Sequence, residues 1–249
     1  MTIASGVQVR AAASAQVIID DLTTLSMSDG DAHHLFRVRR LREGETVIVT
    51  DGGGRWQETR VAGEQLRPVG DIIVEQRERP MVTVAFAPVK GDRSEWAVAK
   101  LTETGCDRIV ALATARAAVR WNDTSAAKAL QRWRRVAREA SCQSRRVWLP
   151  EIEGPATLEA LAGEGGVALA VPGGAPLATA THTIAVGPEG GWTEAERSLR
   201  FPEVALAAHV LRTETAAIAA GVLLEACRQG TVAPMGNGMQ RDTTEEEPA

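Results

Sequence analysis

Residues 181–192 read Thr-His-Thr-Ile-Ala-Val-Gly-Pro-Glu-Gly-Gly-Trp (THTIAVGPEGGW), and this stretch decides what kind of fold the chain can adopt. Its first half is an apolar run rich in β-branched residues, the pattern of a strand covered on both faces in a parallel sheet. Its second half sets three glycines and a proline around one carboxylate, Glu189, within residues 187–191. Glycine leaves backbone N–H and C=O groups open to close approach. Thr193-x-x-Glu196 follows, a capping box that opens a short helix. A buried strand, a bare loop and a helix start make one unit of an α/β domain. Read locally, the loop is either a turn or one wall of a ligand site.

The same alternation continues on both sides. Upstream, MVTVAFAPV (81–89) reads as a strand, Ser94 as the cap of a helix from Glu95 to about Thr104, and Gly105 as its stop. RIVALAT (108–114) is the next strand, and a long helix starts near Asn122-Asp123 and runs to about Ser141. VALAV (167–171) is another buried strand. Downstream, EVALAA (203–208) reads as a strand, and an apolar helix spans Thr213 to Arg228 before Gly230. Residues 80–235 are therefore expected to form an α/β domain with a mostly parallel sheet flanked by helices. Residues 1–79 differ: QVIID, TVIVTD, WQETRVA and DIIVEQ are short strand-like runs, with DGGGRW (51–56) as a hairpin turn, which predicts a small β-barrel. Residues 236–249, Gly-rich and then acidic, are expected to be disordered.

Composition narrows the function classes. The apolar fraction of 44% and charged fraction of 24% over 249 residues are those of an ordinary globular chain. No apolar run reaches the roughly 20 residues of a membrane span, and MTIASGVQVR lacks the parts of a signal peptide. Cys106, Cys142 and Cys227 show no metal-ligand spacing. The expectation is a cytoplasmic protein with reduced thiols, no membrane association and no metal. The net charge of −4 is matched by the four acids between Asp242 and Ala249. The body instead carries two basic patches: Arg37, Arg39, Arg40 and Arg42, and nine bases against two acids between Arg116 and Arg146. Each patch alone fits a solvated face; both together make a nucleic acid a serious candidate partner.

Neither GxGxxG nor GxxxxGK[ST] occurs, so dinucleotide and Walker-type phosphate sites are not expected. A second segment bears on the glycine loop. Val210-Leu211-Arg212-Thr213-Glu214-Thr215-Ala216 (VLRTETA) sets a cation beside Thr hydroxyls at a helix N-terminus, where polar or anionic groups are stabilised. Ordinary capping accounts for Thr213 and Glu214 but not for Arg212.

VGPEGGWTEAE followed by VLRTETA resembles the signature pair of the RsmE-type family, SPOUT (α/β-knot) enzymes that methylate N3 of a uridine in small-subunit ribosomal RNA. HHLFRVRRLREGE (33–45), KGDRSEWAVAKLTETGCDRIVAL (90–112) and RWRRVAREASCQSRRVWLPEI (132–152) are similar to three further family segments, so the resemblance runs from about residue 30 to 230. Thr104, Cys142, Ala207 and Ala208 depart from the family's usual residues, and the two alanines are expected to narrow the cofactor pocket.

The resemblance implies a trefoil-knotted C-terminal domain, a PUA- or OB-like N-terminal barrel, a homodimer paired at the knot, and S-adenosyl-L-methionine as cofactor. Its implied cofactor residues are Leu169, Gly187, Glu189, Gly190, Gly191, Leu206, Leu211, Thr213, Thr215 and Ala216. Arg212 is the residue expected to stabilise the uracil anion, with Glu189 and Glu214 as candidate bases. Gln143, Arg145 and Arg146 are expected to face RNA beside the target base, Arg37, Arg39, Arg40 and Arg134 to contact its phosphates, and Lys90 to bind RNA as well. The implied partner is 16S ribosomal RNA or the small ribosomal subunit. Trp133 and Trp192 read as packing residues, and His33 and His34 as turn or core. Two other readings share these motifs: a SPOUT enzyme acting elsewhere on RNA, such as a ribose 2′-hydroxyl, and a non-catalytic ribosome-assembly protein.

Overall fold

The computed structural model describes residues 3–233, so the expected acidic tail lies outside the described residues. Strands β6 (Thr83–Phe86), β7 (Arg108–Leu112), β8 (Glu151–Ala156), β9 (Val167–Ala175), β10 (Thr183–Val186) and β11 (Glu203–Val204) form one sheet in the order β11-β9-β10-β6-β7-β8. Every pairing in it is parallel. All residues of central strands β6 and β10 are buried, as the apolar run at 181–186 requires when both faces are covered.

Helices α3 (Arg93–Glu103), α4 (Asp123–Ser144) and α7 (Thr213–Arg228) pack against this sheet, joined by the short turns α5 (Leu158–Leu161) and α6 (Glu194–Arg197). In α4, Ala126, Ala129, Leu130, Trp133, Ala137 and Ala140 recur at helical spacing and are buried. Asn122 and Ser125 close a reciprocal capping box at its start. Trp133 stacks on Phe86 with ring centroids 5.0 Å apart, so its packing assignment holds.

Three local expectations are corrected. Ser94 does not cap α3; Asp92 is the N-cap, and the Ser94 hydroxyl is buried where it accepts from the Val89 amide at 2.9 Å. EVALAA forms only the two-residue β11, because the chain leaves the sheet after Ala205 bonds to Ala175. The N-terminal region is not purely β. It begins with α1 (Ile3–Ala12), which contains Gly6, Val7 and Val9, all poor helix formers that hid it. It also holds α2 (Asp29–Ala32), running into a π-helical turn at His33–Val38.

The remaining strands are β1 (Ala15–Ile18), β2 (Thr46–Thr50), β3 (Arg55–Ala62), β4 (Gln65–Pro68) and β5 (Ile73–Val74). They form a second, mixed sheet in which β1 and β2 are parallel and β2 and β3 make the expected hairpin. This sheet meets the α/β region through Ala13, Ile48, Trp56 and Val147, which share one buried cluster. Among the described residues no helix is long and apolar enough to cross a membrane.

Candidate active site

The loop after β10 and the N-terminus of α7 enclose a cavity of about 650 Å³. This lies within the roughly 300–1,000 Å³ of small-molecule sites. Val186, Gly187, Pro188, Glu189, Gly191 and Trp192 form one wall, Ala170, Val171 and Pro172 another, and Leu206, Ala207, His209, Val210, Leu211, Arg212, Thr213 and Ala216 the third. Arg93 and Arg197 complete the lining. The two sequence motifs, separated along the chain, thus face each other.

The glycines of the loop are bare for different reasons. A Cβ on Gly187 would lie 2.9 Å from the indole of Trp192, so this glycine is a seat for the ring. Trp192 is itself held by its Nε1–H, which donates to the Ala170 carbonyl at 3.2 Å, and it lines the cavity while packing in the core. Gly191 has φ +68°, the left-handed region that side chains disfavour, and its amide closes the turn on the Pro188 carbonyl at 2.8 Å. The loop is also tied down from outside. Arg116 donates to the carbonyls of Gly190 at 3.0 Å and Trp192 at 3.3 Å, and the Thr213 hydroxyl donates to the Gly187 carbonyl at 3.0 Å. Glu196 caps Thr193 as the sequence indicated. Burial works against its charge, but hydrogen bonds from Thr193 and Ala115 and the nearby Arg116 hold its carboxyl below the usual range.

The opposite wall is unusual in its backbone. Among the described residues, the N–H and C=O groups of Leu206 to Leu211 make no hydrogen bond within the chain. An ordered segment with open backbone groups beside a cavity is a ready partner for a planar polar ring. Arg212 is the N-cap of α7, exposed, and its guanidinium has no hydrogen-bond or ion-pair partner among the described residues.

Of the expected cofactor residues, Gly187, Glu189, Gly191, Leu206, Leu211, Thr213 and Ala216 line the cavity. Leu169, Gly190 and Thr215 do not. Leu169 points into the buried cluster around Trp192, Gly190 backs onto Arg116, and Thr215 is exposed outside the lining. Of the two alanines that depart from the family's usual residues, Ala207 reaches the lining and Ala208 does not. Glu214 is buried behind the wall, with side-chain exposure of 7%. Arg93 was missed by sequence reasoning. It donates to Glu214 Oε1 at 3.2 Å and stands 3.7 Å from Glu189, both contacts through Nη1. Nothing local marks Arg93, since Glu214 lies 121 residues away.

The expected RNA residues separate into groups. Arg39 and Arg145 come together, donating to the adjacent carbonyls of Ser14 (2.8 Å) and Ala13 (2.9 Å). Burial and the nearby Arg39 lower the Arg145 pKa. Gln143 is exposed near that edge, Arg40 is exposed, and Arg37 is exposed but paired with Glu64 at 2.8 Å. Lys90 is exposed just before α3, and Arg134 is an exposed residue of α4 that reaches the Ile152 carbonyl.

Arg146 corrects the sequence reading. It is turned inward, bonded to Asp107 at 2.9 Å and to the Thr102 and Cys106 carbonyls, and burial lowers its pKa. Arg145 and Arg146 line a second cavity of about 440 Å³ and not the first, so within one chain they do not flank Arg212. Among the described residues no group of three His, Cys, Asp or Glu side chains gathers as metal ligands would.

A family model described as an RNA methyltransferase domain matches residues 76–225. The chain belongs to the RNA methyltransferase family. A model of the PUA domain of RNA methyltransferases matches residues 28–67 of the same chain. Among relatives of this methyltransferase, the ribosomal RNA small subunit methyltransferase E of Synechocystis is 34% identical over 215 residues, covering 78% of this chain and 70% of that one. The protein of the same name from Bacillus subtilis is 29% identical over 227 residues, 80% of this chain and 88% of its own. A methyltransferase from Legionella pneumophila, solved with bound S-adenosylmethionine, superposes with a TM-score of 0.66 at 26% identity, over 80% of this chain and 90% of that chain. The methyltransferase E structure from Neisseria gonorrhoeae, at 24% identity and TM-score 0.71 over 87% and 97% of the two chains, shares the fold.

Proposed function

We propose that this methyltransferase transfers the methyl group of S-adenosyl-L-methionine to N3 of a specific uridine in 16S ribosomal RNA of the small subunit. The observation that carries this reading is the cavity where the glycine loop, the unpaired backbone of Leu206–Leu211 and the free guanidinium of Arg212 converge. The residues fit the cofactor. Val186, Leu206, Leu211 and Ala216 offer apolar packing for an adenine, and the open backbone groups offer its hydrogen bonds. When bound, S-adenosylmethionine supplies an electrophilic sulfonium methyl.

The chain's own part is to orient the base and move one proton. Uracil N3–H is a weak acid whose anion spreads over the two flanking carbonyl oxygens. Arg212, at the cavity rim and unpaired, donates to those oxygens and stabilises the charge as it forms. Glu189 is the candidate base that lines the cavity and takes the N3 proton. The apolar walls exclude water, and orientation contributes much of the acceleration.

The finer architecture belongs to the same proposal. Residues 1–79 act as the PUA/OB-like barrel and 80–235 as the SPOUT domain, with the C-terminal part of the latter threaded as a trefoil knot. The sheet order, with β9 between β10 and β11, supports that threading. A homodimer formed over this part of the chain is supported by Val210 and Val222, large apolar side chains left exposed beside the cavity and on α7. Arg39, Arg145 and Gln143, with Arg37 and Arg40, form the peripheral RNA surface in this reading, and the protein works in the cytoplasm. The direct test incubates the purified protein and labelled S-adenosylmethionine with small subunits or 16S RNA lacking the modification. Label in 3-methyluridine is expected after nuclease digestion, and label in a 2′-O-methylated nucleotide would refute the assignment.

A further inference from the structure

We infer that Arg93 is a positioning residue that holds the Glu189 loop in its working place, and that Glu214 is its buried anchor and not the base. The inference rests on the methyl-transfer reading above and deepens it. Glu214 and Glu189 are the two acids of the paired motifs, yet their settings are opposite. Glu189 lines the cavity and its side chain is 62% exposed; Glu214 is outside the lining and 7% exposed. A buried carboxylate needs a partner. Glu214 has one, Arg93 Nη1 on Oε1, and its Oε2 has no hydrogen-bond partner among the described residues. It sits in the first turn of α7, next to the Thr213 that ties this helix to the glycine loop.

Arg93 is built to serve both acids. It opens α3 directly after Asp92, and its Nε also donates to the Lys90 carbonyl at 3.3 Å. The guanidinium is therefore fixed from two sides, by Lys90 and by Glu214, while it lines the cavity and stands 3.7 Å from Glu189. An exposed acid on a loop gains little from a single surface pair. A cation that is itself locked gives that acid one preferred direction at small entropic cost. Arg93 thus couples the first turn of α7 to the glycine loop, a link parallel to the Thr213–Gly187 hydrogen bond.

The test uses the full-length protein with Arg93→Ala, Arg93→Lys, Glu214→Gln and the double variant Arg93→Ala/Glu214→Gln. Amide hydrogen exchange across Gly187–Trp192, measured without ligand, is expected to speed up severalfold in Arg93→Ala and Glu214→Gln and to return towards wild type in Arg93→Lys. Methyl transfer is expected to fall by about 10–100-fold in kcat in both single variants, with the double variant no worse than either, because both changes break one unit. The pH–rate profile of Glu214→Gln is expected to keep the wild-type shape, since an anchor titrates nothing in the reaction. Unchanged loop exchange in Arg93→Ala would overturn the inference whatever the enzyme's substrate. So would a Glu214→Gln profile that loses its pH dependence while Arg93→Ala stays near wild type. Faster loop exchange in the variants, together with a wild-type protein unable to methylate RNA, would instead refute the substrate reading and leave the positioning role standing.

Discussion

Gly187→Ala isolates what the glycine loop does. The added Cβ would lie 2.9, 3.1 and 3.2 Å from three ring atoms of Trp192. Carbon atoms prefer separations of about 3.5–4.0 Å, so the indole must withdraw by about 0.5–1 Å. The ring cannot do so freely, because it is 7% exposed, packed in a core cluster and bonded to Ala170. Overpacking of this kind costs about 1–3 kcal/mol. At about 2–4 °C per kcal/mol for a chain of this size, the melting temperature should fall by roughly 2–12 °C. The same shift moves the cavity wall, and a displacement of about 1 Å costs on the order of 100-fold in rate. Differential scanning calorimetry checks the first effect, and methyl-transfer rates together with titration by S-adenosylmethionine check the second. The companion variant Gly187→Ala/Trp192→Leu removes the clash and should recover part of the binding lost in Gly187→Ala. Wild-type melting and wild-type cofactor affinity in Gly187→Ala would refute the reasoning.

Three further outcomes follow from other parts of the molecule. Arg212→Ala removes an exposed, unpaired side chain, so melting should stay within about 0.5 kcal/mol of wild type, while kcat falls about 100–1,000-fold, as when one oxyanion donor is lost; near-normal turnover would refute its role. Asp107→Ala leaves Arg146 and Arg228 buried without their shared carboxylate. Breaking such a pair costs about 3–5 kcal/mol, or on the order of 6–20 °C in melting temperature, and a smaller change in thermal denaturation would show that the network is dispensable. The Cys106 thiol is pushed by burial from its ordinary value of 9.0 up to about 12. The folded state then keeps a proton that the unfolded chain releases, so stability is intact below pH 9 and falls between pH 9 and about 12. Cys106→Ala should flatten that alkaline loss in pH-dependent denaturation, and an unaltered slope would assign it to other groups.

What could be read in advance depended on how local its cause was. The extent of α7, Thr213–Arg228, matches the sequence expectation because its signals are adjacent: a polar start, an apolar run and Gly230 beyond. The start of α4 near Asn122-Asp123 and the capping box of α6 were equally local, and the apolar runs at 167–171 and 181–186 announced buried parallel strands. α1 escaped because its stability comes from distant contacts, such as Arg10 to Glu75 and to the Arg145 carbonyl. Within the site, the facing of VGPEGGW and VLRTETA was legible, but the reason for Gly187 was not, since it depends on where the Trp192 ring folds back. Arg146 looked like a surface base in a basic run. Only the fold reveals that Asp107 turns it inward. Arg93 was hidden for the same reason, its partner being remote in sequence.

The central claim is most directly tested by nucleoside mass spectrometry of small-subunit ribosomal RNA from a strain of the source organism lacking this gene. The account predicts that the 3-methyluridine signal disappears, returns with the wild-type gene, and stays absent with the Arg212→Ala gene. An undiminished 3-methyluridine signal in the deletion strain would contradict it.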